Sequence, residues 1–203
     1  NMIDGVDGLM SMYGITTSIL FGAVFYKSGE VDMAAMAMIA TGAMIPFFMH
    51  NVFGKKSKMF LGDGGALMIG IMMSVFVIYI LRDESLCCQA VCRYVGLVPF
   101  TLAVLSIPVF DTLRVMTRRI LHGTSPFLPD KKHLHHMFIG LGFSHFGTSF
   151  SIVFLNLVNV LIWWISFKLG ASVNLQLIVV IVMGLFNTFV VYKIMYWVKK
   201  YDT

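Results

Sequence analysis

Uncharged apolar runs dominate the chain and set its architecture before any single residue is considered. Six of them are legible, at 9–26, 33–53, 64–81, 94–110, 146–167 and 169–192. A helix needs roughly 20 apolar residues to cross a hydrocarbon core about 30 Å thick, and each run approaches that length. Because the runs are continuous rather than short and alternating, they predict helices and not a barrel. The expected fold class is all-α: a single polytopic membrane domain over 1–203, six transmembrane helices, and a polar loop at 111–145 that carries one short amphipathic helix.

Composition agrees. The chain is 58% hydrophobic and 12% charged, with a mean hydropathy of +0.84, whereas about a quarter of a soluble domain is charged. The partners this implies are a lipid bilayer and no nucleic acid. Cys87, Cys88 and Cys92 share one short loop, with spacings unlike a zinc site and no histidine close by in sequence, and read as incidental. The chain starts at Asn1 with no targeting segment before the first run, which reads as a cut inside a longer protein.

Charge then orients the expected spans. With the N-terminus placed on the cytoplasmic side of an inner membrane, eleven of the fifteen Lys and Arg residues fall on that side, as the positive-inside rule requires. His50, His122, His133, His135, His136 and His145 all fall there too, a bias the rule does not demand. Anionic lipid headgroups account for the lysines. They do not account for the carboxylates.

Three carboxylate sites stand out on that face. Asn1, Asp4 and Asp7 recur at i, i+3 and i+6 just before the first span, either along one helical face or in a glycine-bearing turn, with a plain helix-start signal as the alternative. Asp63 sits among Gly62, Gly64 and Gly65, where it either caps the third helix or helps hold a magnesium ion together with substrate phosphates. Asp111, Arg114 and Arg118 share a helical face as the fourth span leaves the membrane, suited to phosphate oxygens or to a simple intrahelical ion pair.

After Pro129 and Asp130 comes the cluster His133, His135 and His136. Asp130 reads as the cap of a short helix whose stripe of Leu134, Phe138 and Leu141 lies along the membrane surface. On that helix His133 and His136 flank the stripe on one side and His135 falls on the other. Zinc is an alternative occupant, although the spacing is not the i, i+4 pair a helix uses.

Taken in order, these motifs resemble the polyprenyl-phosphate N-acetylhexosamine-1-phosphate transferases of glycosyltransferase 4 type. The likeness is strongest to the bacterial undecaprenyl-phosphate N-acetylglucosamine-1-phosphate transferases, and it covers essentially the whole chain. It implies that Asn1, Asp4 and Asp7 belong to the nucleotide and catalytic site, that Asn51 and Phe60 help hold the uridine, and that Asp63 is the magnesium ligand, with manganese as an alternative metal. It further implies that His133, His135 and His136 grip substrate and that Asp111, Arg114 and Arg118 lie at substrate-binding positions. Gly64-Gly65-Ala66 departs from the family's usual small residue, glycine and serine.

The reaction so implied transfers N-acetylglucosamine 1-phosphate, or another N-acetylhexosamine phosphate, from its UDP derivative to undecaprenyl phosphate. UMP is released, and the step opens assembly of an envelope polysaccharide such as O-antigen or common antigen. A homodimer is left open. The family also carries a paired-aspartate motif, and no adjacent Asp-Asp occurs in this chain. The residues 1–203 alone are therefore expected not to turn over substrate. A transporter and a zinc hydrolase remain as competing readings, the first marked by polar residues near mid-span.

Overall fold

The computed structural model of the chain describes residues 5–54, 58–82, 96–127 and 133–201. Every regular element among them is helical, as uninterrupted apolar runs demand in lipid, where each backbone polar group must find a partner within its own segment. The elements are α1 (Leu9–Lys27), α2 (Val31–Phe53), α3 (Gly62–Arg82), α4 (Leu97–Val104), α5 (Ser106–Leu121), α6 (Leu134–Gly140), α7 (His145–Lys168) and α8 (Val173–Leu185). α8 passes through a π turn at Phe186–Val190 into α9 (Val191–Tyr201). Five stretches are long and apolar enough to cross a membrane, namely α1, α2, α3, α7 and Val173–Val198; the bent pair of α4 and α5 brings the number to as many as six. The chain is an all-α polytopic membrane protein.

Its interior is aromatic. Phe21, Phe25, Phe76 and Phe100 are buried together from three different stretches of chain, and the Phe100 ring lies 5.1 Å from that of Trp163 on α7. Where α1 meets α2 the side chains shrink instead. A Cβ on Gly22 would lie 3.1 Å from that of Ala37, so small residues are what let these two helices pack closely.

The fourth span departs from expectation. A continuous helix over 94–110 was implied by hydropathy; the described part is instead two helices meeting at Leu105 with a bend of 73°. Pro108 explains the break, because it has no N–H to offer the carbonyl four residues back, that of Val104. That carbonyl accepts from the Tyr13 hydroxyl at 2.6 Å and from Asn156 Nδ2 at 2.9 Å. Asn156 Oδ1 accepts in turn from Ser106 Oγ at 2.9 Å and from the backbone N–H of Ile107 at 3.2 Å. Asn159 extends the network, donating to Ser106 Oγ and accepting from Asn187 of the π turn. Asn156, Asn159 and Asn187 therefore converge on one broken helix.

Two further expectations are corrected. The last span starts at Val173 rather than 169 and continues to Val198, past 192. The apolar stripe of α6 does not face lipid headgroups: Leu134, Met137 and Phe138 are buried against Ile152 of α7 and Met195 of α9, because protein surface at that end offers a better apolar partner than the interface does. The residue at the N-cap of α6 is His133, and the expected cap Asp130 lies outside the described residues.

Candidate active site

The opening segment enters α1 through Gly8, whose φ of +80° glycine tolerates and whose missing Cβ would meet Val52 at 2.5 Å. Its N–H donates to Asn51 Oδ1 at 2.5 Å, while Asn51 Nδ2 donates to the Met59 carbonyl at 2.7 Å. One buried side chain thereby ties the start of α1, the end of α2 and the segment before α3 into a single rim.

A cavity of about 390 Å³ opens at this rim, lined among others by Gly5, Asp7, Asn51, Phe60, Gly62 and His145. Asp7 is its carboxylate. Lys58 Nζ stands 2.5 Å and His145 Nδ1 3.1 Å from Asp7 Oδ2, and the Lys58 ammonium also lies 5.7 Å from the Phe60 ring. Asp63 sits in the first turn of α3 as an exposed residue beside the cavity-lining Gly62.

Deeper in the same end lies the histidine group. Asp111, 7% exposed, accepts from Arg114 Nη2 at 2.7 Å on Oδ1, and its Oδ2 contacts His133 Nδ1 at 2.9 Å and the Leu134 N–H at 3.2 Å. The Arg114 guanidinium lies 3.9 Å from the Tyr192 ring centre, and Arg118 donates to the Tyr192 hydroxyl at 3.2 Å. His133 and His135 stack with an interplanar angle of 2°, and His135 and His136 have ring centres 4.2 Å apart. Burial, reinforced by the charges of His136 and His133, pushes the His135 imidazole down to about 4, so it is neutral near pH 7.

This places the three imidazoles side by side, correcting the expectation that His135 falls away from the other two. The reason is that His133 precedes the helix in an extended conformation, so helical periodicity does not govern it. The two clusters meet at Gly5: a Cβ there would lie 2.8 Å from His135 Nε2, so only glycine lets the ring rest against the cavity wall.

Of the residues singled out in sequence, Asp7, Asn51 and Phe60 share the cavity, Asp63 stands at its edge, and Asp111, Arg114, His133, His135 and His136 form the adjoining group. Arg118 faces Tyr192 instead. Asn1 and Asp4 lie outside the described residues, as do the three cysteines. Three residues escaped sequence reasoning as site members: Lys58, His145 and Tyr192. The first two were visible only as members of a basic, histidine-rich face.

Metal chemistry is compatible with these donors. Among the described residues no three His, Cys, Asp or Glu side chains converge to hold a metal. Asp63 presents an exposed carboxylate, a hard oxygen donor of the type magnesium takes when one or two carboxylates and substrate phosphates complete its shell.

Residues 1–81 match the glycosyl transferase family 4. Across 147 residues the chain is 32% identical to the undecaprenyl-phosphate alpha-N-acetylglucosaminyl 1-phosphate transferase of Escherichia coli strain K12, which covers 71% of this chain and 38% of the relative. The chain belongs to glycosyl transferase family 4. Its family 4 relatives include the Yersinia pestis protein of the same name, 35% identical, and the decaprenyl-phosphate N-acetylglucosaminephosphotransferase of Mycolicibacterium smegmatis, 33% identical, each with the same shares covered. The family 4 chain thus spans 38% of the length of these relatives. No solved structure matches it.

Proposed function

We propose that the protein containing this chain transfers N-acetylglucosamine 1-phosphate from UDP-N-acetylglucosamine to undecaprenyl phosphate, releasing UMP, as the first membrane step of an envelope polysaccharide. The site would face the cytoplasm across an inner membrane. The observation that carries this reading is the Asp7 cavity, with Asn51, Phe60 and His145 on its wall and Lys58 at its carboxylate, at the same end of the bundle as the histidine group. Supporting it is a wider apolar groove of about 700 Å³ between α1, α3 and the bent pair, lined by Met73, Val77, Pro108 and Leu113 among others, which suits a prenyl chain.

In this reaction a lipid phosphate oxygen attacks the sugar-linked phosphorus, that oxygen forms the new P–O bond, and the bond to UMP breaks. Two anions must approach, so positioning and charge neutralisation do most of the work. A magnesium ion, when bound through Asp63, would supply Lewis-acid neutralisation of the diphosphate. Phe60, exposed at the rim, offers a face to the uracil ring, and Asn51 holds that rim in place. Lys58 can exchange Asp7 for a phosphate oxygen, while neutral His135 offers hydrogen bonds without adding charge.

The broken helix inside the bundle is the feature that favours a transporter. Its freed carbonyl and the neighbouring asparagines are, however, already engaged with one another and with the Ile107 N–H, rather than held open for an ion. UMP release by the full-length protein separates the two readings, and substituting Asp63→Asn tests the metal. Magnesium-dependent UMP release should vanish while the melting temperature stays put, since Asp63 is exposed. Near-normal release by that variant would remove Asp63 from the metal.

A further inference from the structure

We infer that Met10 is a specificity-determining residue for the lipid acceptor, the side chain past which the acceptor's phosphate moves to reach the Asp7 cavity. This rests on reading that cavity as the nucleotide-sugar site and the apolar groove as the prenyl site. The sequence alone gives Met10 no distinction within the first apolar run.

Two openings of opposite character share α1. The cavity of about 390 Å³ has Asp7, Asn51 and His145 on its wall, and the groove of about 700 Å³ has Ile69, Met73 and Val77. Among the described residues, Met10 alone lines both. Asp7, three positions earlier, lines the cavity and not the groove, whereas Tyr13, three positions later, lines the groove and not the cavity. The seam between the two sites therefore falls at residue 10.

Phosphoryl transfer needs the attacking oxygen about 3–3.5 Å from phosphorus, so an acceptor whose tail fills the groove must bring its phosphate out of it. The groove has a second polar neighbour. Tyr13, Pro108 and Thr112 also line a crevice that reaches Asp111, His133 and His135. That crevice measures about 20 Å³. A single water already needs about 10–15 Å³ of such space, so a phosphate does not fit there, and it does fit the cavity on the other side of Met10. Size thus selects the route past Met10 over the route through the histidines.

The side chain suits that place. Met10 is 8% exposed and belongs to the buried cluster that includes Ile69 and Met73 of the groove wall. An unbranched thioether with three rotatable bonds can turn aside while its helix stays put. A rigid, larger side chain could not.

The test uses the full-length protein in detergent with UDP-N-acetylglucosamine, undecaprenyl phosphate and magnesium, comparing Met10→Trp with Met10→Leu. Met10→Trp should lower kcat/KM for the lipid at least about tenfold, the scale on which an apolar pocket discriminates by size, while the Kd of UDP stays within roughly threefold. Met10→Leu, of like volume, should recover most of the loss. An unchanged lipid kcat/KM in Met10→Trp overturns the inference, and so does an equal loss of lipid use and UDP binding, which would mark a general disturbance of the fold. Because Met10 is buried, labelling of Met10→Cys by N-ethylmaleimide, read by mass spectrometry on that peptide, decides the matter if the tryptophan variant does not fold. Undecaprenyl phosphate and UDP, added separately, should each slow labelling several-fold. No protection by the lipid, or no labelling at all, takes position 10 off the route and ends the inference. If wild type is active and Met10→Trp uses the lipid normally, the inference alone falls. If wild type transfers nothing between these substrates, the functional reading falls and takes the inference with it.

Discussion

Asp111 and His133 meet through a 2.9 Å contact between Oδ2 and Nδ1 that fastens the foot of α6 to α5. The same carboxylate takes Arg114 on its other oxygen and the Leu134 N–H beside His133, so one buried acid anchors the entry to the histidine group. Asp111 therefore holds the entry to the histidine group, with both of its own oxygens already engaged.

Asp111→Ala removes the carboxylate from a guanidinium that is 4% exposed. The expected cost is about 3 kcal/mol, at the low end for a broken buried pair because the Tyr192 ring still covers Arg114. Thermal unfolding of the purified protein measures it, and a variant melting like wild type would show that Asp111 anchors nothing.

Gly5→Ala tests the join between the two clusters. The new Cβ would stand 2.8 Å from His135 Nε2, so the ring must leave its stack on His133. Sugar phosphate transfer should fall at least about tenfold, with a stability loss of about 1 kcal/mol. Adding His135→Ala to this variant should relieve the crowding and give a non-additive double mutant; strict additivity would place the ring elsewhere.

Asn156→Leu takes the acceptor from the Ile107 N–H and the Ser106 hydroxyl inside the bundle, and leaves the Val104 carbonyl with Tyr13 as its remaining donor. Each buried polar group left without a partner costs about 1–3 kcal/mol, so a total loss above about 3 kcal/mol is expected. A melting curve little changed from wild type would mean that water replaces the asparagine.

Acid should destabilise the protein through His135. Its imidazole is held at about 4 by burial, below the ordinary histidine value near 6.5. The unfolded chain then binds the proton first, so stability is fully present above about pH 6.5 and falls as pH drops toward 4. The ceiling on this loss is about 3 kcal/mol. His135→Ala should flatten the pH dependence of unfolding across that window, and an unaltered slope would assign the effect to another group.

Individual residues show how much was legible. Asp7 and the three histidines could be named from local motifs because glycine spacing and residue type mark them without reference to partners, whereas Asn51 and Phe60 came only from the family resemblance. Lys58 and His145 could not, since what distinguishes them from other basic residues is a contact with Asp7 made across 51 and 138 positions. Pro108 was in plain view, yet a proline in an apolar run predicts a break only when something donates to the freed carbonyl, and Asn156 lies 52 positions from that carbonyl.

Hydropathy by itself determined that the chain is a bundle of membrane-length helices, because lipid leaves the backbone no other way to satisfy its polar groups. Residue type by itself also placed the acids and imidazoles at one end. Only the tertiary structure decided which of them touch: that Asp111 serves His133, that Gly5 makes room for His135, and that α7 grips Asp7. Those relations depend on angstrom-scale packing between helices distant in sequence, and no local period encodes them.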